Sequence, residues 1–273
     1  MQADQKHLPV RLDRARFGPW AVVTGASSGL GREFAQQLAA NGFNLVLVSR
    51  REAALEHVGQ ALKQRYGTDH RVIEANIATE EGQRRVVEMT EDLDVGLLVS
   101  NAGAGHIGNF LSFEESDLRE VAQLNGVSHM VLTHQFGRRL AKRGRGGVLL
   151  VSALGADTGV PYNSMAAAAK GMVNTLGKSL HYEFGKLGLN ISVLVVSPTE
   201  TPIIEKMGLR RGDMPTKPMP VEKMVSAGLA GLQANKAMVV PGLMFRILGA
   251  LVPESLIRQM TANMMKKSTK FVA

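Results

Sequence analysis

Apolar runs and amphipathic stretches alternate along most of this chain. "WAVVTG" (20–25), "NLVLVSR" (44–50), "RVIEANI" (71–77), "VGLLVSNAG" (95–103), "GGVLLVSA" (146–153) and "NISVLVVS" (190–197) are short and apolar. Their length and β-branched content predict buried strands, and "KAMVVPG" (236–242) predicts a seventh. Between them, "GREFAQQLAANG" (31–42), "EAALEHVGQALKQRYG" (52–67) and "EEGQRRVVEMTED" (80–92) carry apolar residues at helical spacing, as do 116–142 and 163–186. Strands apolar on both faces, separated by helices, pack as a parallel sheet covered on both sides. The pattern therefore predicts a doubly wound α/β domain. The stretch 203–235 is rich in Met, Pro and charge and breaks the rhythm. An irregular insertion after a late strand covers the ligand crevice in such folds. Without repeats or low-complexity linkers, 1–273 reads as one domain, with 203–273 as substrate lid and C-terminal helices.

Composition narrows the class. Hydrophobic residues make up 45% and charged residues 21%, the balance of an ordinary globular protein. No run of apolar residues is long enough to span a bilayer. The N-terminal "MQADQKHLPVRLDRARFG" lacks the apolar centre of a secretory signal. Cys is absent, which removes disulfides and thiolate metal sites and fits a cytoplasmic protein. No metal site is expected. The net charge of +8 is spread over small clusters at Arg50–Arg51, Arg138–Arg145 and Lys266–Lys267. No aromatic residues interleave with them as a base-stacking surface requires, so nucleic acid is not an expected partner. A phosphate-bearing cofactor explains the charge more simply.

"TGASSGLG" (24–31) ends the first strand and opens the first helix. Gly25, Gly29 and Gly31 permit a tight turn and the close approach of a pyrophosphate, and the helix N-terminus offers free N–H groups. Thr24, Ser27, Ser28 and Leu30 complete the turn. At the end of the second strand, an acid would bind a ribose 2′-OH. Ser49, Arg50 and Arg51 stand there instead, and Arg pairs well with phosphate. The expected cofactor is NADP(H); the bland alternative is a solvated surface pair.

With these motifs in place, residues 18 to 202 resemble the short-chain dehydrogenase/reductases. "TGASSGLG" is similar to that family's TGxxxGxG motif, and "NAG" (Asn101, Ala102, Gly103) to its fourth-strand motif. Asn125 matches the helix asparagine of the family's proton relay. Asn76, with Ile77 beside it, falls where the family usually has an aspartate contacting adenine. "SPTET" (197–201), with Thr199 and Thr201, resembles the segment that meets the nicotinamide, although Val196-Ser197 replaces the usual Pro-Gly. The resemblance implies a Rossmann-type sheet of about seven strands, a ketone and secondary-alcohol reaction, and a homodimer or homotetramer built on the helices near 116–142 and 163–186.

The family's chemistry implies a Tyr that handles the substrate proton. A Lys four residues on lowers its pKa and holds the nicotinamide ribose, and a Ser binds the substrate oxygen. Lys170 matches the lysine, but Ala166 stands four residues before it and Ala153 thirteen before that. Lys170 is therefore expected without the group it would tune. Ser152, Tyr162 and His106 are weak substitutes. Three readings follow: deliberate removal of the proton-handling groups from an NADPH-dependent reductase, a natural pseudoenzyme binding cofactor or lipid, or different chemistry needing no tyrosine. All predict NADP(H) binding, and the first two predict impaired turnover. The tail 236–267 carries Leu, Met and Ile at helical spacing, with Arg246 and Arg258 among them. It resembles the tails of members related to 17-beta-hydroxysteroid dehydrogenases and long-chain ketoacyl reductases, which implies an apolar ketone or alcohol as substrate. Contact with membrane is expected only peripherally.

Overall fold

The computed structural model of the protein describes residues 10–213 and 216–272. Residues 1–9, the first half of the segment read as lacking a secretory signal, lie outside them. In chain order the elements are α1 (Arg14–Phe17), β1 (Trp20–Thr24), α2 (Gly29–Ala40), β2 (Asn44–Ser49), α3 (Glu52–Tyr66), β3 (His70–Glu74), α4 (Glu80–Glu88) and β4 (Val95–Ser100). There follow α5 (Glu115–Ala122), α6 (Ser128–Arg143), β5 (Gly147–Ala153), α7 (Ser164–Gly185) and β6 (Asn190–Val196). The chain then forms α8 (Ile203–Lys206), α9 (Val221–Gln233), β7 (Met238–Val239), α10 (Leu243–Leu251) and α11 (Glu254–Met265).

All seven strands are parallel, in the order β3-β2-β1-β4-β5-β6-β7. Successive side chains point to opposite faces, and both faces are covered. Ala21 and Val23 of β1 join a core with Phe34 and Leu38 of α2 and Leu229 of α9. Val22 joins a second core with Leu132 and Phe136 of α6 and Val173 of α7. Double burial is why the strands read as unbroken apolar runs. The strand order reverses between β1 and β4, which opens a crevice at their C-terminal ends.

Four expectations are corrected. The helix expected over 116–142 is two helices joined by a π-helical turn, Gln123–Val127, which turns Asn125 inward. β3 stops at Glu74 and leaves Asn76 and Ile77 in a turn, where the Thr79 hydroxyl donates to the Asn76 carbonyl. β7 is only two residues long, because it is an edge strand held by β6 alone. The stretch 203–235 is not all insertion, since α9 buries Met224, Val225, Leu229 and Leu232 in the main core. Its prolines and most of its Met and charged residues belong to the segment before α9, and their abundance masked the helical spacing behind it.

The end of the chain closes on the crevice side. The Asn109 N–H donates to the Val272 carbonyl at 2.7 Å, and the Thr269 N–H donates to Gly208 at 2.9 Å. The Ser268 hydroxyl donates to the Met207 carbonyl at 2.6 Å. Ile107, Ile204, Leu209 and Met265 make a small separate core there, with Tyr162, Met264 and Phe271 against it.

Candidate active site

The turn from β1 into α2 is built for close backbone approach. Gly25 and Gly29 hold φ of +70° and +54°, a region that side chains rarely adopt. A Cβ on Gly31 would strike the Gly25 carbonyl oxygen. Thr24 ties this turn to β4: its hydroxyl oxygen accepts from the backbone N–H of Asn101 (2.8 Å) and Ala102 (3.1 Å). The Asn101 side chain returns a bond to the Thr24 carbonyl at 2.8 Å. Thr201 comes in from beyond β6, 3.5 Å from where a Gly29 Cβ would lie. Thr199 holds its own loop, donating to the Ser197 carbonyl at 2.7 Å. Leu30 packs inward on the core. Gly31→Ala is expected to lower stability by ~1–3 kcal/mol in urea unfolding, through overpacking. At an unobstructed helix position the same change stabilises, by up to about 1 kcal/mol.

The two arginines part company. Arg51 reaches back over the turn and donates to the hydroxyls of Ser27 (2.9 Å) and Ser28 (3.2 Å). Its backbone N–H donates to Ser49 Oγ at 3.1 Å. Arg50 leans across to Glu120 of α5 at 3.5 Å. Asn76 Oδ1 accepts from the Ala78 N–H, and the Ile77 carbonyl accepts from Gln83. Asn76 thereby fixes the turn bordering the same end of the sheet.

Asn125 clamps the loop leaving β4. Its amide donates to the Ala104 carbonyl at 2.5 Å, and its Oδ1 accepts from the Ala104 N–H at 2.9 Å. Gly103 lies between it and Lys170: a Cβ there would sit 3.1 Å from Asn125 Oδ1 and 3.6 Å from Lys170 Nζ.

Lys170 has partners that the motifs do not disclose. Its Nζ donates to the Val151 carbonyl at 2.8 Å and lies 2.9 Å from His129 Nε2. His129 Nδ1 lies 2.8 Å from Ser100 Oγ, and its Nε2 lies 3.1 Å from the Ala102 carbonyl. Lys170, His129 and Ser100 are all buried. When Lys170 is an ammonium, Nε2 must accept from it, and Nδ1–H points at Ser100. When Lys170 is an amine, Nε2–H can donate to Ala102. The lysine's charge is thus coupled to the histidine tautomer. Sequence reading missed His129, although it stands four residues after Asn125.

Burial pushes Lys170 down from 10.5 to about 7. Burial, and then the Lys170 charge, hold His129 well below its ordinary value. Between pH 7 and 10.5 the unfolded chain therefore binds more protons at Lys170 than the folded chain. Stability from this group rises with pH across that window, at up to ~1.4 kcal/mol per pH unit. Lys170→Met should remove that rise. Urea unfolding of both chains is expected to show a gap that moves in favour of the unmodified chain as pH increases. A pH-independent gap contradicts this.

Ala153 ends β5, and Ala166 is buried on α7 one turn before Lys170. Of the three substitutes, Ser152 is buried and donates to the Lys170 carbonyl at 3.1 Å, inside the sheet–helix packing. Tyr162, at φ +63°, packs edge-on to Phe271 with ring centroids 5.1 Å apart. Only His106 comes beside Ala166: the two line one cavity with Phe113, Leu118, Val121 and Asn163.

The chain belongs to the short chain dehydrogenase family, an oxidoreductase family, whose sequence profile matches residues 19–211. Among its relatives is a very-long-chain 3-oxoacyl-CoA reductase of Podospora anserina, 32% identical over 183 residues, which are 65% of this chain and 54% of the relative. The chain thus spans just over half the length of that protein. A 7beta-hydroxysteroid dehydrogenase of Mediterraneibacter gnavus is 27% identical over 69% of this chain and 72% of its own. A solved short-chain dehydrogenase from Sphingobium yanoikuyae, in complex with NADPH, shares the fold with a TM-score of 0.79. It is 24% identical, and the match covers 88% of this chain and 95% of that one.

Proposed function

We propose that this chain binds NADP(H) and is built on a scaffold for interconverting an apolar ketone and its secondary alcohol, with turnover strongly reduced. The observation that carries the reading is the pairing of Ala153 at the end of β5 with Ala166 one turn before Lys170. Methyl groups at both places can neither give nor take a proton. Cofactor binding is supported by the glycine turn, by Arg51 above Ser27 and Ser28, and by NADPH in the related Sphingobium protein. Lys170, near Gly103, is the group that would hold the nicotinamide ribose, while Thr201 lies beside Gly29 of the glycine turn and bonds back to Thr199 in its own loop. The cofactor supplies the hydride; the chain binds and orients it. An apolar substrate is supported by the hydroxysteroid and 3-oxoacyl-CoA relatives. The proposal includes one domain, a cytoplasmic location and a homodimer or homotetramer. Met130 on α6 and Met172 and Tyr182 on α7 are exposed, as subunit contacts would require.

A second reading, a pseudoenzyme that binds cofactor or lipid, is favoured by one observation. Lys170 is satisfied by His129 and Val151, so no phenol is missing from its hydrogen bonding. Calorimetry with NADPH tests the cofactor claim of both readings: saturable binding at one site per chain is expected, and undetectable binding contradicts that claim.

A further inference from the structure

The C-terminal helices leave an apolar stripe uncovered. On α10, Leu243, Met244, Ile247 and Leu251 are all exposed, Leu251 at 77% and Leu243 at 63%. At 3.6 residues per turn, the four fall within about 100° of arc on one side of the helix. On α11, Leu256 and Met260 are exposed one turn apart. The surrounding charge is predominantly positive. Arg246, Lys266, Lys267 and Lys270 are exposed, while Arg258 pairs with Glu254 at 3.1 Å. From 243 to 272 the chain carries those five cations against one carboxylate, Glu254, a net of +4 and half of the chain's +8.

This charge decides what covers the stripe. A second copy seated face to face would bring +4 against +4, with Glu254 already counted. An anionic bilayer answers both features, because the apolar arc enters the headgroup–acyl boundary and the cations meet the headgroups. The helices are nine and twelve residues long, well short of the ~20 that span a bilayer, so they would lie in its plane. Among the described residues no helix is long and apolar enough to cross a membrane.

We propose that α10 and α11 form an interfacial surface that seats this chain on an anionic lipid bilayer. Leu243, Met244, Ile247 and Leu251 enter the boundary, and Arg246, Lys267 and Lys270 contact the headgroups. α11 also contributes Met264 and Met265 to the cluster at the closing tail. Docking therefore brings the crevice side toward the bilayer, where an apolar ketone would be concentrated. This last consequence rests on the proposed substrate class; the docking itself does not.

The test uses the full chain sedimented with vesicles of phosphatidylcholine alone, or of phosphatidylcholine mixed with phosphatidylserine. The chain is expected to pellet with the mixed vesicles only and to be released by salt. Arg246→Gln/Lys267→Gln/Lys270→Gln should weaken binding by ~100-fold. Leu243→Gln/Ile247→Gln/Leu251→Gln should abolish it. Circular dichroism and unchanged NADPH binding show that each variant is folded, and the charge variant alters only exposed side chains. Equal pelleting with neutral vesicles overturns the proposal, as does a chain that stays in solution with both. A stripe variant that lowers the mass seen by light scattering while leaving vesicle binding intact assigns the face to a second copy instead.

Discussion

A chain carrying Ala153→Ser and Ala166→Tyr is expected to reduce an apolar ketone with NADPH ~10²- to 10⁴-fold faster than the unmodified chain, the usual worth of a positioned general acid. Ala166 and Lys170 are four apart on α7 and share a face, so a phenol at 166 would project beside the lysine. The cavity beside Ala166, between His106, Phe113 and Leu118, is small, about 10 Å³, so a ring at 166 would have to displace one of these side chains. A protonated Lys170 would lower the phenol's pKa and favour proton transfer near neutrality. It would then leave its bond to His129 or share it, and the pH–rate profile should report that coupled pair. Each single substitution should recover less than the pair, because such groups act as a unit. Steady-state rates across a panel of apolar ketones check this. No gain with any of them contradicts the assignment of these two positions.

Arg51→Glu is expected to weaken NADPH binding by ~10- to 100-fold while leaving NADH binding little changed. Hydrogen bonds to charged groups are worth about 1.5–3 kcal/mol, which sets that range. Arg51 is exposed yet pinned by Ser27, Ser28 and Ser49, so its guanidinium is pre-positioned at the mouth of the phosphate turn. Arg50→Glu should cost less, because Arg50 already leans on Glu120. Calorimetry with both cofactors on both variants measures the difference. Equal losses for NADPH and NADH at Arg51 contradict a role in binding the 2′-phosphate.

The sheet was legible because its strands are buried on both faces. Val22 and Val23 face opposite cores, and an uninterrupted apolar run is the signature of that arrangement. The glycine turn was legible because its backbone angles admit little else. Less visible were features set by long-range packing. The π-helical turn leaves no periodic mark in Gln123–Val127, since one extra residue per turn looks like ordinary helical drift. α9 was hidden by the Met- and Pro-rich segment before it. The Ser100–His129–Lys170 chain joins residues 29 and 41 positions apart, and no local pattern couples them. The divergent paths of Arg50 and Arg51 likewise depend on Glu120 and on the serines of the turn.

The decisive measurement is a single turnover. The unmodified chain is loaded with one equivalent of NADPH, complex formation is confirmed by cofactor fluorescence, and an apolar ketone is added while nicotinamide absorbance is followed. The expected trace is flat over a time in which the Ala153→Ser/Ala166→Tyr chain consumes its bound cofactor. An unmodified chain that oxidises its NADPH as fast as that variant would contradict the proposal that two methyl groups stand where the proton-handling groups belong.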